Sequence, residues 1–209
     1  GDLCMNHEGY HSLSVLLTKA FLTNNDAARG LVDPKWFDDG GSEGLIALSG
    51  AAQGELGSLL LGKKWSLAHE AAERFKAQFP GRFYVELQRA GRPTDELATA
   101  RLANFAVEEQ LPVVATHPIQ FLKPEDFEAH EVRCSIAEGY TLQDPRRVKR
   151  YTPEQYLKSE AEMCELFADI PVAIENTVEI AKRCNLDGVL SKPQLPLFPT
   201  PDGMSIDDY

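Results

Sequence analysis

No stretch of this 209-residue chain approaches the ~20 consecutive apolar residues that a membrane-crossing helix needs, and no basic-then-apolar leader opens it. A soluble chain with no membrane partner and no export signal is therefore expected. Positive charge is scarce as well: 21 Lys and Arg face 32 Asp and Glu, a formal balance of -11. That argues against general attraction to nucleic acid, because phosphate binding needs a positive surface, although a local basic site survives the sum. Cysteine is sparse and scattered. Cys4, Cys134, Cys164 and Cys184 form no C-x-x-C pair, so buried free thiols in a reducing compartment are expected rather than disulfides or a zinc site. There is no internal repeat. The chain opens at Gly1 rather than methionine, and Leu3-Cys4-Met5 reads as the end of an apolar strand, so a piece of a longer protein is expected.

What is present is an average globular composition, 43% hydrophobic and 25% charged, enough for one sizeable core. Leu13, Leu16, Leu17, Ala20 and Phe21 recur at helical spacing and predict a helix from Tyr10 to Phe21, with Gly9 at its start. A helical turn at Pro34 to Phe37 precedes a strand at Leu45 to Ser49. Helices at Glu55 to Leu61 and Ser66 to Phe79 follow, then a strand at Arg82 to Gln88. A long helix with Ala98, Leu102, Phe105 and Ala106 on one face leads to the short apolar run Leu111 to Thr116, which ends abruptly at His117-Pro118-Ile119-Gln120. Strand, helix, strand, helix, strand implies parallel strands and an α/β fold. A helix from about Glu125 to Ala137 is expected to bury Phe127, Val132 and Ile136. Thr152-Pro153-Glu154-Gln155 and Ser159-Glu160-Ala161-Glu162 both read as capping-box helix starts. A last helix from Pro171 stacks Ala173, Thr177, Ile180, Ala181 and Cys184, and Pro193, Pro196, Pro199 and Pro201 predict an extended tail.

Ligand-handling residues in α/β folds gather where strands end, so chemistry is sought first at Thr116 to Gln120. Glu86, His117 and His130 could converge at one mouth; the bland alternative gives them framework hydrogen bonds and a salt bridge from Glu86 to Arg89 or Arg101. His7-Glu8-Gly9-Tyr10-His11 spells H-E-x-x-H, a zinc-peptidase pattern. Gly9 costs about 1 kcal/mol inside a helix, and with the helix read as starting after His7 the two imidazoles are not expected to share a face. Arg146, Arg147, Lys149 and Arg150 make the dense basic run of the chain, read as a solvated loop or as a contact for phosphate or an acidic partner.

Taken together, Asn6-x-x-Gly9-Tyr10-x-x-Leu13, Glu43 to Gly50, Gly54-Glu55-Leu56-Gly57, Phe83 to Arg89 and Leu111 to Thr116 resemble the bacterial DNA polymerase III alpha subunit family, proteobacterial type. So do Ala129 to Arg133, Glu162 to Pro171 and Glu175 to Asn185. The resemblance covers essentially the whole chain. It implies the later part of the N-terminal polymerase and histidinol phosphatase (PHP) domain: a partial, distorted, TIM-like seven-stranded β/α barrel lacking its first strands. Residues 1-150 would be barrel, and 151-209 its helical end and a Pro-rich connection toward the polymerase body. Metal-bearing members of the family place ligands at the positions here held by Ala51, Pro118 and Gln120, the last two within an Asn-Asp-Val-His motif that begins at the position of His117. Ala51 and Pro118 offer no side-chain donor and Gln120 only a neutral amide. The resemblance therefore implies a non-catalytic scaffold and docking segment without a cofactor, in a cytoplasmic DNA-directed DNA polymerase whose Mg-dependent chemistry lies elsewhere. Its partners would be the proofreading exonuclease and other holoenzyme subunits, with DNA reached through the parent protein and weakly or not at all by this segment. The alternative is a metal-dependent phosphoesterase or nuclease using Glu86, His117 and His130.

Overall fold

The structure is a computed structural model that describes residues 1–23, 30–38, 40–188, 199–201 and 204–205. Its centre is an open four-stranded sheet of β1 (Asp2–Cys4), β2 (Leu45–Leu48), β3 (Phe83–Gln88) and β4 (Val113–Thr116), in that spatial order. β2, β3 and β4 are parallel, as their helical crossovers require, and β1 runs antiparallel to β2 with Leu3 opposite Ile46. α1 (His7–Thr23) joins β1 to β2. Between β2 and β3 stand α2 (Glu55–Leu61) and α3 (Trp65–Gln78), and α4 (Asp95–Glu108) lies between β3 and β4. Beyond β4 come α5 (Phe127–Glu138), α6 (Glu160–Leu166) and α7 (Pro171–Arg183). A mixed, unclosed sheet with flanking helices and a helical extension is the architecture of a partial PHP-like barrel.

Strand alternation divides the core in two. Leu45, Ala47, Phe83, Val85, Leu87, Val113 and Ala115 pack with Leu56, Leu60, Ala68, Ala72, Leu102, Phe105 and Phe167 in the main cluster. The opposite face offers a smaller apolar set, Ile46, Tyr84, Val114 and Ile180. That face turns polar at the strand ends, with Glu86, Gln88 and Thr116. α7 lies along β4, and Asn176 Nδ2 donates to the Val113 carbonyl at 2.7 Å, so an edge acceptor of the sheet is satisfied by a side chain. The Ser159 capping box forms as expected: its hydroxyl accepts from the Glu162 amide, and the Glu162 carboxylate accepts from the Ser159 amide at 2.8 Å.

Four expectations need correction. α1 begins at His7, not after Gly9, because the Asn6 side chain accepts the Gly9 amide at 3.0 Å and opens the helix one turn earlier. Gly9 is buried against Gly44, and a Cβ there would collide with the Gly44 carbonyl. In α5, Val132 and Ile136 are 37% and 75% exposed, while His130, Glu131 and Ser135 are buried; this helix meets a polar loop instead of the sheet, and Arg147 folds over it to pair with Glu131. Thr152 to Gln155 starts no helix. The local bonds form, with the Thr152 amide donating to Gln155 Oε1 at 3.0 Å, but Gln155 then accepts the Gln120 amide at 2.8 Å and Tyr156 bridges to Phe121, holding the chain extended. In α7, Ala181 is exposed. Pro193 and Pro196 of the expected tail lie outside the described residues.

The turn between α2 and α3 places Lys63 at φ 57, the left-handed position where glycine is usual, with its amide on the Leu60 carbonyl and the Lys64 amide on the Leu59 carbonyl. Lys63→Gly is expected to raise stability by about 1 kcal/mol, by relieving a strained side-chain position. Gly9→Ala should lower it by about 3 kcal/mol because backbone has to move. Urea midpoints at unchanged m-value measure both.

Candidate functional site

The ends of β2, β3 and β4 form one polar mouth around Glu86, which is only 8% exposed. Its Oε2 accepts the Gly50 amide at 2.9 Å; its Oε1 accepts the Thr116 hydroxyl at 2.5 Å and the Gln88 amide at 3.1 Å. The Ser49 hydroxyl accepts the Glu86 backbone N-H at 2.9 Å. Gln88 Oε1 takes Arg92 Nη2 at 3.0 Å, and Arg92 Nε reaches the buried Asp95 at 2.9 Å, whose other oxygen caps the Ala90 amide at 2.7 Å. The sequence points to Thr116 as the start of the candidate stretch, but does not single out Ser49, Gln88, Arg92 or Asp95 for this network. Period two on β3 was the available signal, since Glu86 and Gln88 share a face and Thr116 is in register with Gln88.

The three candidate polar residues take separate partners. Glu86 takes three donors from the strand ends and makes no salt bridge with Arg89 or Arg101; Arg89 instead forms a paired contact with Asp169 at 2.6 and 2.8 Å. His117 Nε2 lies 2.7 Å from the Glu154 carbonyl, to which it donates, and its buried Nδ1 has no hydrogen-bond partner among the described residues. His130 packs against Phe121 and edge-on to Tyr151, with Nε2 3.5 Å from the Cys134 sulfur. Burial pushes both imidazoles below their ordinary value of 6.5; for His130, Arg133 adds to the shift and Glu131 opposes it. Contrary to expectation, His7 and His11 lie one turn apart on the same exposed face of the corrected α1. Among the described residues no group of three or more His, Cys, Asp or Glu side chains is arranged to hold a metal ion.

The basic run is largely neutralised from within. Arg147 is buried against Glu131, Arg146 pairs with Asp144 at 2.8 Å, and Arg150 stands 3.8 Å from Glu138. Arg147 is thus a framework residue and not a surface contact. Lys149 makes no ion pair among the described residues.

Residues 2–90 match the family model described as the PHP domain. Over 207 residues, 99% of this chain, it is 47% identical to the DNA polymerase III subunit alpha of Pseudomonas fluorescens and 45% identical to that of Escherichia coli strain K12. Over 206 residues it is 48% identical to that of Neisseria meningitidis serogroup B. The chain matches a segment of the bacterial DNA polymerase III alpha subunit. It spans 18% of the length of these curated relatives. The family resemblance, not the matched PHP model, assigns ligand positions to Ala51, Pro118 and Gln120, the last two beyond the matched residues. Ala51 is 2% exposed and presents a methyl group, and the Pro118 carbonyl is occupied by Gln155 Nε2 at 2.9 Å. Gln120 is exposed and its backbone amide is held by Gln155. Such a donor set does not fit a PHP metal cluster, which needs several anionic or imidazole ligands.

Because the folded His117 takes up its proton below 6.5, the unfolded chain binds it first as pH falls, and stability should decrease with pH from about 6.5 downward. An NMR titration is expected to give His117 a midpoint under 6.5, and His117→Asn should flatten that part of the stability profile; a midpoint at or above 6.5 would contradict the buried, neutral assignment.

Proposed function

We propose that this chain is a non-catalytic PHP scaffold and subunit-docking segment of a replicative DNA-directed DNA polymerase, a cytoplasmic nucleotidyltransferase. Residues 1-150 serve as partial barrel, and residues 151-209 as its helical end and the connection toward the polymerase body. The observation that carries the reading is the mouth at Ala51, Pro118 and Gln120, where hydrogen bonds and a methyl group occupy positions that a metal-dependent phosphoesterase would give to ligands. Glu86, buried at the strand ends, accepts from Gly50, Gln88 and Thr116 and so works as a structural tie. Likeness to DNA polymerase III alpha subunits supports the rest. The proofreading exonuclease and other holoenzyme subunits are the partners, and Mg-dependent nucleotide addition belongs to parts of the parent protein outside this segment. A separate proofreader makes nuclease chemistry in the barrel dispensable.

The test uses the full-length protein that carries this segment, purified with Zn and Mn present and without chelator. Metal analysis is expected to find no stoichiometric metal at this mouth, with no phosphate-ester hydrolysis, while the exonuclease subunit co-elutes with the protein. Ala51→Cys, Pro118→Asp and Gln120→His introduced together should raise metal content toward about one equivalent. Stoichiometric metal with hydrolysis in the unaltered protein, lost in Glu86→Gln and His117→Asn, would establish the phosphoesterase alternative instead.

A further inference from the structure

The densest run of positive charge in the sequence is tied up by Glu131, Asp144 and Glu138, but a sparser group is not. At the turn between α2 and α3, Lys63 and Lys64 are exposed beside Trp65, itself 46% exposed despite being one of the two tryptophans in the chain. From α4, the Arg101 guanidinium lies 5.9 Å from the Trp65 ring centre. Its orientation is fixed by hydrogen bonds to the Leu60 and Leu61 carbonyls at 2.8 and 3.1 Å. None of Lys63, Lys64 and Arg101 forms an ion pair among the described residues, whereas Arg74, Lys76, Arg89, Arg92 and Lys158 all do. The first turn of α3 contains no acidic residue, so nothing there offsets these charges.

We infer that Trp65, with Lys63, Lys64 and Arg101 around it, is a contact site for single-stranded nucleic acid, the indole stacking on a base and the three cations meeting the flanking phosphates. An exposed aromatic face beside unpaired cations is the pairing that such strands use: stacking tolerates any base, and counterion release supplies affinity. Duplex DNA hides its base faces and would leave the indole idle. An acidic peptide would engage the lysines but has no requirement for a planar ring. The overall charge of -11 does not cancel the patch, because screening confines each charge to a range of about 8 Å at physiological salt. This inference rests on exposure and charge at one turn and not on the scaffold reading, and its test is read at one residue.

The test is photocross-linking of full-length protein to an oligo-dT of about 12 nucleotides carrying 5-iodouracil, a length within the usual span of single-strand sites. Mass spectrometry maps the adducts. A cross-link at Trp65 is expected, reduced about tenfold or more in Trp65→Ala, which removes the stacking partner, and largely kept in Trp65→Phe. Lys63→Glu with Lys64→Glu should reduce it further and flatten its salt dependence by about 0.7 per lysine in log-log slope. All are surface changes, and an unchanged thermal midpoint confirms that each variant is folded. Cross-links elsewhere but none at residues 63–65, or yields indifferent to the lysine changes, would overturn the inference. Displacement of the oligonucleotide from Trp65 by polyglutamate at equal charge would assign the patch to an acidic protein and overturn it equally.

Discussion

A carboxylate buried where three strands end has to find donors from all three, and in this molecule Glu86 does. The Gly50 amide arrives from β2, Gln88 from its own strand and the Thr116 hydroxyl from β4, so one acceptor group fixes the relative height of the parallel strands. Leaving such a group unpaired would cost about 1–3 kcal/mol or more, which makes the arrangement cooperative: each strand end is held in place by the others. The network then passes through Gln88 and Arg92 to Asp95, which shapes the turn into α4. Where its parallel strands end, this chain has an internal brace.

That brace explains why the mouth is polar without being reactive. A metal site needs lone pairs aimed at a common point and free to bind. Here three protein donors already occupy the Glu86 carboxylate, His117 donates to the Glu154 carbonyl, and Pro118 presents only a carbonyl that Gln155 already caps. The segment from Thr152 to Leu157 is the agent of much of this. It turns at residues 153–154, runs extended from Gln155 past Gln120 and Phe121, and delivers backbone acceptors and an amide side chain to the end of β4.

Much of the framework was legible in the sequence because it rests on local periodicity. β2, β3, β4, α2 and α3 fall close to the spans their apolar spacing predicts, α4 buries the face that Ala98, Leu102, Phe105 and Ala106 mark, and the Ser159 capping box carries its own signal. The failures share one physical cause, a tertiary partner overriding a local rule. Gly9 looked like a helix boundary, yet it sits inside the first turn of α1 because Gly44 needs the room. Thr152 makes its capping contacts, but a neighbouring strand end competes successfully for Gln155. In α5 the apolar stripe of Val132 and Ile136 predicted the wrong face, since the burial of Glu131 is set by Arg147, an ion-pair partner 16 residues away. The candidate site was legible as a place, the ends of three strands, but the direction of its hydrogen bonds was not.

Asn176 adds a consequence of another kind. By capping the Val113 carbonyl, with α7 laid along β4, it makes the sheet a one-ended polymer. Lateral growth is blocked at β4, while β1, a strand of three residues, keeps its outer edge unpaired among the described strands. Among the described strands, the edge left open to a further strand is therefore that of β1.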